Sequence, residues 1–190
     1  MKTIITSNEF KKMQNKKQSR TYYDRLEDAI NYGFNFDNDI FIQEEDSLIL
    51  KFNDVYFLSH NDILRIHFKR LYKYIKLWKE RVKSISKKID INKWENVKNK
   101  LLKIEFIYVN NNNEFLDYDS TIASFKFILD GLTESKIIID DNQDHVPIIL
   151  SKQLKSKEKN SIIVIITVLN QEEINNYFSE ESKKIIINNY

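Results

Sequence analysis

The chain has 190 residues and a formal net charge of +2; 42% of it is apolar and 13% aromatic, enough for a core of ordinary domain size and too much for a disordered chain. It has no cysteine and 3 histidines, which excludes a disulfide framework, a cysteine-based zinc or iron–sulfur site and a thiol nucleophile. With 2 glycines and 1 proline neither a GxGxxG cradle nor a Walker loop can be built, and with no long apolar run or apolar leader the expectation is a cytoplasmic protein without a membrane span.

Charge is unevenly spread at the start. Residues 1–20 carry six Lys/Arg and one Glu, whereas residues 21–46 carry one Arg and eight Asp/Glu. A short amphipathic helix is predicted at Tyr22–Tyr32, stopped by Gly33. Residues 1–46 therefore read as an N-terminal extension with a solvated basic start. Ser47–Phe52 and Val55–Leu58 have strand-like spacing around an Asn53-Asp54 turn, so a hairpin or bent edge strand is expected.

The longest helical pattern follows. Asn61 or Asp62 is a candidate cap, and Leu64, Phe68, Leu71, Ile75, Trp78, Val82, Ile85 and Ile89 form one stripe at spacings of four and three. The rest of that helix is basic: between Leu64 and Lys88 ten Lys/Arg face one acid, Glu80. Signs are not mixed as on a helix held by internal ion pairs. The face is either solvated or turned to a polyanion, and Arg70, Lys73, Lys76 and Lys83 are the candidate contacts to a DNA backbone.

Leu101–Val109 reads as a buried strand, Asn110–Asn113 as a polar loop and Ile122–Leu132 as a helix. Lys136–Ile139 is a short β-branched run read as a strand, Lys152–Asn160 a basic loop and Ser161–Leu169 the strongest strand of the chain. A last helix is expected from Gln171 to about Lys183, with an Ile185–Ile187 tail, so that residues 171–190 form a C-terminal helical tail. The order of strands and helices gives an α/β or α+β fold with a small mixed sheet and packed helices.

The segment from Asp117 to Asp141 concentrates the chemistry. Asp117 and Asp119 sit two apart between a strand and a helix; Lys126 and Asp130 are one turn apart on that helix; Asp140-Asp141 follow a short apolar run. Oxygen ligands from two turns suit Mg²⁺, which takes a few carboxylates and completes its shell with water and phosphate oxygens. A lysine beside them can stabilise charge on an attacked phosphodiester. The plainer alternatives are an N-cap for Asp-x-Asp and a turn for Asp-Asp, with Asp119 or Ser120 capping the helix.

The string Asp117-x-Asp119-Ser-x(5)-Lys126-Phe-Ile-Leu-Asp130-Gly-Leu-Thr, then Ile-Ile-Asp140-Asp141, resembles the RusA-like Holliday junction resolvases, in particular the phage-type members of that family. With its flanking strands the likeness spans residues 47–170, which would be a RusA-like nuclease domain. The resemblance implies a small α/β fold, a symmetric homodimer and Mg²⁺-dependent (or Mn²⁺-dependent) nicking of four-way DNA junctions in recombination and repair. It makes Asp117, Asp119 and Asp141 metal-binding acids, with Asp140 beside them. Lys126 becomes the catalytic lysine, and Asp130 matches a common family position that serves either the helix or the metal. Ser120 stands where the family usually has Asn, Phe115-Leu116 where basic residues are common, and Ser59-His60-Asn61 in place of a Pro-Ser-Asn stretch. These departures bear on DNA-backbone contacts and junction selectivity. The Ser120 departure favours the alternative of a catalytically degenerate relative that holds DNA or a protein without cutting it. A third reading is an interaction module assembled through the helix at Leu64–Ile89.

Overall fold

The structure is a computed structural model that describes residues 21–32, 36–111 and 117–177. The basic start at 1–20, Gly33, Phe115-Leu116, Asn112-Asn113 of the expected loop, and everything expected after Tyr177 lie outside the described residues. In chain order the elements are α1 (Tyr22–Tyr32), β1 (Ile40–Gln43), β2 (Ser47–Asn53), α2 (His60–Arg65), α3 (Phe68–Ser86), α4 (Ile91–Lys98), β3 (Leu102–Asn110), α5 (Tyr118–Glu134), β4 (Ile148–Lys155), β5 (Ser161–Val168) and α6 (Gln171–Tyr177). The fold is mixed α+β, as the order of elements in the sequence implies.

The five strands form one mixed sheet in the order β1-β2-β5-β3-β4. β3 and β4 run parallel, joined by α5, and the other neighbours are antiparallel. Alternation is strict in β2 and β3. Leu50, Val164 and Phe106 share one cross-strand row and all three are buried. α3 and α5 cover that face: Trp78, Val82 and Ile85 from one helix and Phe125, Ile128 and Leu132 from the other join it in a single core. Phe106 stacks on Phe125 with ring centroids 4.3 Å apart, and Phe52 meets Trp78 edge-on at 5.7 Å. On the opposite face Ile49, Ile107, Ile163 and Ile165 are part-exposed and belong to neither apolar core. α6 covers one end of that face, packing Ile174 on Leu101, Ile148 and Leu169. No helix among the described residues is long and apolar enough to cross a membrane.

Residues 22–46, an extension in the sequence reading, supply α1 and β1; Leu26 and Ala29 of α1 are in the core and β1 pairs with β2. The hairpin is therefore β1–β2, and Val55–Leu58 is not a strand. Asp54 takes a positive φ of 53°, turning the chain out of the sheet. The segment that follows is buried, and its carbonyls are satisfied by side chains: Tyr74 Oη donates to Tyr56 O at 3.1 Å and Ser124 Oγ to Leu58 O at 3.1 Å. Burial pushes the Tyr74 phenol far above its ordinary pKa and raises Tyr108 to about 12.

The long basic helix is two helices, broken at Ile66-His67. Ser59, not Asn61 or Asp62, caps α2, its Oγ accepting from Asp62 N at 3.1 Å. His67 caps α3 through Nδ1 and Lys69 N at 3.3 Å. Asp62 is taken instead by Arg25 of α1, with Nε to Oδ2 at 2.9 Å. Burial acts to raise the Asp62 pKa, but bonds from Arg25 and Ser59 outweigh it and hold it below the usual carboxylate range. Lys136–Ile139 is a bend, not a strand, and Lys152–Lys155 belongs to β4, not to a loop. Helix α4 lay in a stretch without a strong pattern.

One of the ten basic residues of the α2–α3 region is not on the surface. Arg81 is 1% exposed; its Nε donates to Asp39 Oδ2 at 2.7 Å and its Nη2 to Oδ1 at 2.5 Å and to Asn53 O. Asp39 also accepts from Asn53 N at 3.0 Å. This pair fastens α3 to the β1–β2 hairpin. Asp39→Ala leaves a buried guanidinium unpaired and is expected to cost about 3–5 kcal/mol, read from the urea unfolding midpoint. Gly131 lies where α5 crosses α3: a Cβ there would meet Val82 Cβ and Cγ2 at 3.0 Å. Gly131→Ala is expected to cost about 1–3 kcal/mol in the same measurement, because both helices are seated on the sheet and must move apart.

Candidate functional site

Helix α5 carries Lys126 and Asp130 one turn apart on its outer side, and Lys126 Nζ lies 2.8 Å from Asp130 Oδ1. After α5 the chain reverses with Lys136 at φ 58°, and the N–H groups of Ser135, Lys136 and Ile137 bond to the carbonyls of Gly131, Thr133 and Leu132. Ile137 and Ile138 are buried, and buried Trp94 of α4 donates from Nε1 to Ile137 O at 2.7 Å. The bend is thereby pinned, and Asp140-Asp141 emerge beside α5. Asp141 Oδ2 reaches Lys126 Nζ at 2.5 Å. Asp140 folds back on its own turn, Oδ1 accepting from Asp141 N and Oδ2 from Asn142 Nδ2, both at 2.8 Å.

The result is one ammonium held by two carboxylates from different elements. Partial burial works to lower the Lys126 pKa, but the bonds from Asp130 and Asp141 and their charges prevail and raise it above the ordinary value. The bond from Lys126 is the largest influence on Asp141 and holds its pKa below the usual carboxylate range.

Asp117 and Asp119 stand at the other end of α5, both exposed. Asp117 occupies the N-cap position without a side-chain capping bond, and Asp119 Oδ1 accepts from Ser120 N at 2.9 Å. Asp119 precedes Lys126 by seven residues, about 10 Å along the helix axis, and the lysine leans the opposite way, toward Asp130. One turn before Lys126 stand Ile122 and Ala123, which offer no oxygen. Among the described residues no three His, Cys, Asp or Glu side chains form a group able to hold a metal ion. The four acids Asp117, Asp119, Asp140 and Asp141 are thus not gathered into one cage. The set that does converge is Asp130, Asp141 and Lys126. Two carboxylates from different elements are a donor pair that a divalent ion such as Mg²⁺ could share, with water completing its shell. In the sequence Asp130 stands open between helix and metal; its i,i+4 spacing to Lys126 is the signal that the two share one charge contact.

Ser120 is neither a cap nor a ligand. It is buried, and its Oγ accepts from His60 N at 3.0 Å, docking the start of α2 on α5. The proposed DNA contacts Arg70, Lys73, Lys76 and Lys83 are all exposed on α3. Arg70 lies over the Tyr23 ring at 4.4 Å and Lys76 is 3.6 Å from Glu80, while Lys73 and Lys83 have no ion pair among the described residues. No protein-family model matches the chain, and a search of curated proteins finds no significant match.

The Lys126–Asp141 link is tested by pH. A lowered carboxylate pKa means that its stabilisation is complete above the unfolded value of about 3.9 and is lost as pH falls through the folded one. At the alkaline end it is lost as pH rises through the raised Lys126 value. The unfolding midpoints of the wild type and Asp141→Asn are expected to differ at pH 7, to approach each other as pH falls below about 4, and to converge only below the lowered Asp141 value. A gap that persists there would place the effect elsewhere.

Proposed function

We propose that the protein is a Mg²⁺-dependent endonuclease acting on branched DNA. The observation that carries this reading is the convergence of Asp130 and Asp141 on Lys126, beside a helix whose exposed side is basic. Carboxylates alone repel a phosphodiester; a divalent ion reverses the local sign and the lysines of α3 draw in the backbone. Mg²⁺ bound at such a pair supplies a Lewis acid for the phosphoryl oxygen and a more acidic water (Mn²⁺ is the natural substitute). Asp141 and Asp130 would hold the ion, and Lys126, released toward substrate, would donate to the phosphate oxygens as charge builds on them. Asp140, next to Asp141 on the same turn, would be an outer acid of the site, whereas Asp117 and Asp119 at the start of α5 would not touch the ion directly. A homodimer suits a junction with two equivalent strands, and the bare sheet face around Ile163 and Ile165 supports pairing of two copies. A cytoplasmic setting belongs to the same proposal.

The separation of Asp119 from Lys126 along α5 favours a second reading, a relative that holds branched DNA without cutting it. A nicking assay on a four-way junction beside a gel shift decides between them. The expected result is nicking with Mg²⁺ that stops in EDTA and falls by about a hundredfold or more in Asp141→Asn and in Lys126→Ala, with junction binding retained. Asp119→Asn reports whether the acids at the start of α5 take part. Binding without nicking in either Mg²⁺ or Mn²⁺ would leave the second reading standing, and full activity of Asp141→Asn would refute the site.

A further inference from the structure

The start of α3 breaks the rule that a helix turns its apolar side inward. Phe68 is 68% exposed and Tyr72 54%, one turn apart, with ring centroids 6.3 Å from each other. In the sequence Phe68 belongs to the buried stripe, yet among the described residues it is left exposed. Single exposed apolar side chains are ordinary; two adjacent flat rings on one helix face mark an interaction surface. Their surroundings select the partner. Arg65, Lys69, Lys73 and Lys76 are exposed around them, and no acid occurs between Arg65 and Glu80. Tyr72 also borders a cavity of about 340 Å³ lined by Lys76, Lys79 and Lys83. Glu134 and Glu80 partly neutralise that cleft, Glu134 holding Lys79 and Glu80 lying 3.6 Å from Lys76. Flat rings interleaved with cations are complementary to a polymer that has both π faces and phosphates. An intact duplex keeps its base faces stacked inside and offers the rings nothing.

We propose that Phe68 and Tyr72 are a stacking platform for unpaired bases of single-stranded nucleic acid, with Lys69, Lys73 and Lys76 holding the flanking phosphates. This rests on the nucleic-acid part of the function proposed above and not on phosphodiester cleavage. At a branch point the platform would take the bases that open as strands part. The cations alone would bind single strand and duplex alike; the rings supply the preference.

The test is fluorescence anisotropy of the full-length chain with dye-labelled oligothymidylate, the same oligomer paired with its complement, and phosphatidylserine vesicles, at several salt concentrations. The wild type is expected to bind the single strand more tightly than the duplex, with affinity falling as salt rises. Phe68→Ala with Tyr72→Ala is expected to lose about tenfold or more per ring on the single strand and to change by less than about twofold on the duplex. Phe68→Leu with Tyr72→Leu keeps apolar area but no π face and should behave like the alanine pair. Circular dichroism melts check that both exposed pairs leave the fold intact. Unchanged single-strand binding in the alanine pair, an equal loss on duplex, full binding by the leucine pair, or a wild-type preference for vesicles would each overturn the platform. Failure to nick junctions with the platform intact would remove the nuclease alone, and a wild type that binds no DNA would remove both.

Discussion

A guanidinium with 1% of its surface in contact with solvent can persist only if its charge is met inside the protein. Arg81 meets that condition through Asp39: Nε and Nη2 bond to Asp39 and to the carbonyl of Asn53, Nη1 is buried without a hydrogen-bond partner among the described residues, and the rings of Phe36, Phe52 and Trp78 each lie within 5.7 Å of its Cζ. The partners come from β1–β2 and the segment before it, so α3 cannot slide or rotate on the sheet without breaking the pair. Because α3 is held, α5 has a fixed neighbour at the close Gly131–Val82 approach. Because α5 is held, Lys126 points at the turn carrying Asp141. A buried charge remote from the surface chemistry thus sets its geometry.

At the candidate site a lysine ammonium is held between two carboxylates from different elements. Two carboxylates brought close repel one another, and the ammonium relieves that repulsion in the free protein. In the function proposed above, metal and lysine would be alternatives for the same negative potential. Exposure of Lys126 to water makes its release inexpensive compared with that of a buried pair such as Arg81–Asp39. The same exposure leaves room for a phosphate to approach.

The basic helix divides its charges by task. Arg81 is structural, Arg70 lies over Tyr23 and tightens α1 against α3, and Lys79 is tied to Glu134. What remains for a partner is the outer side with Lys69, Lys73, Lys76 and Lys83, flanked at its start by two uncovered rings. A charge count along the chain overstated the basic face because it could not see which cations are spent on internal contacts.

Period and composition were enough for the mixed sheet class, for α1, and for β2, β3, β5 and most of α5, since alternation and the 3.6-residue stripe report burial directly. β1 and β4 were hidden because edge strands carry mixed exposure and, in β4, lysines that imitate a loop. The break at Ile66-His67 was hidden too, because an apolar stripe continues in phase through a kink. The acids and the lysine were legible as residue types able to meet around a cation. Which of them meet was decided by the length of α5, which separates Asp119 from Lys126, and by the bend at Lys136 that returns Asp141 to it. Helix rise and turn geometry set those distances, and neither is visible in the spacing of letters alone.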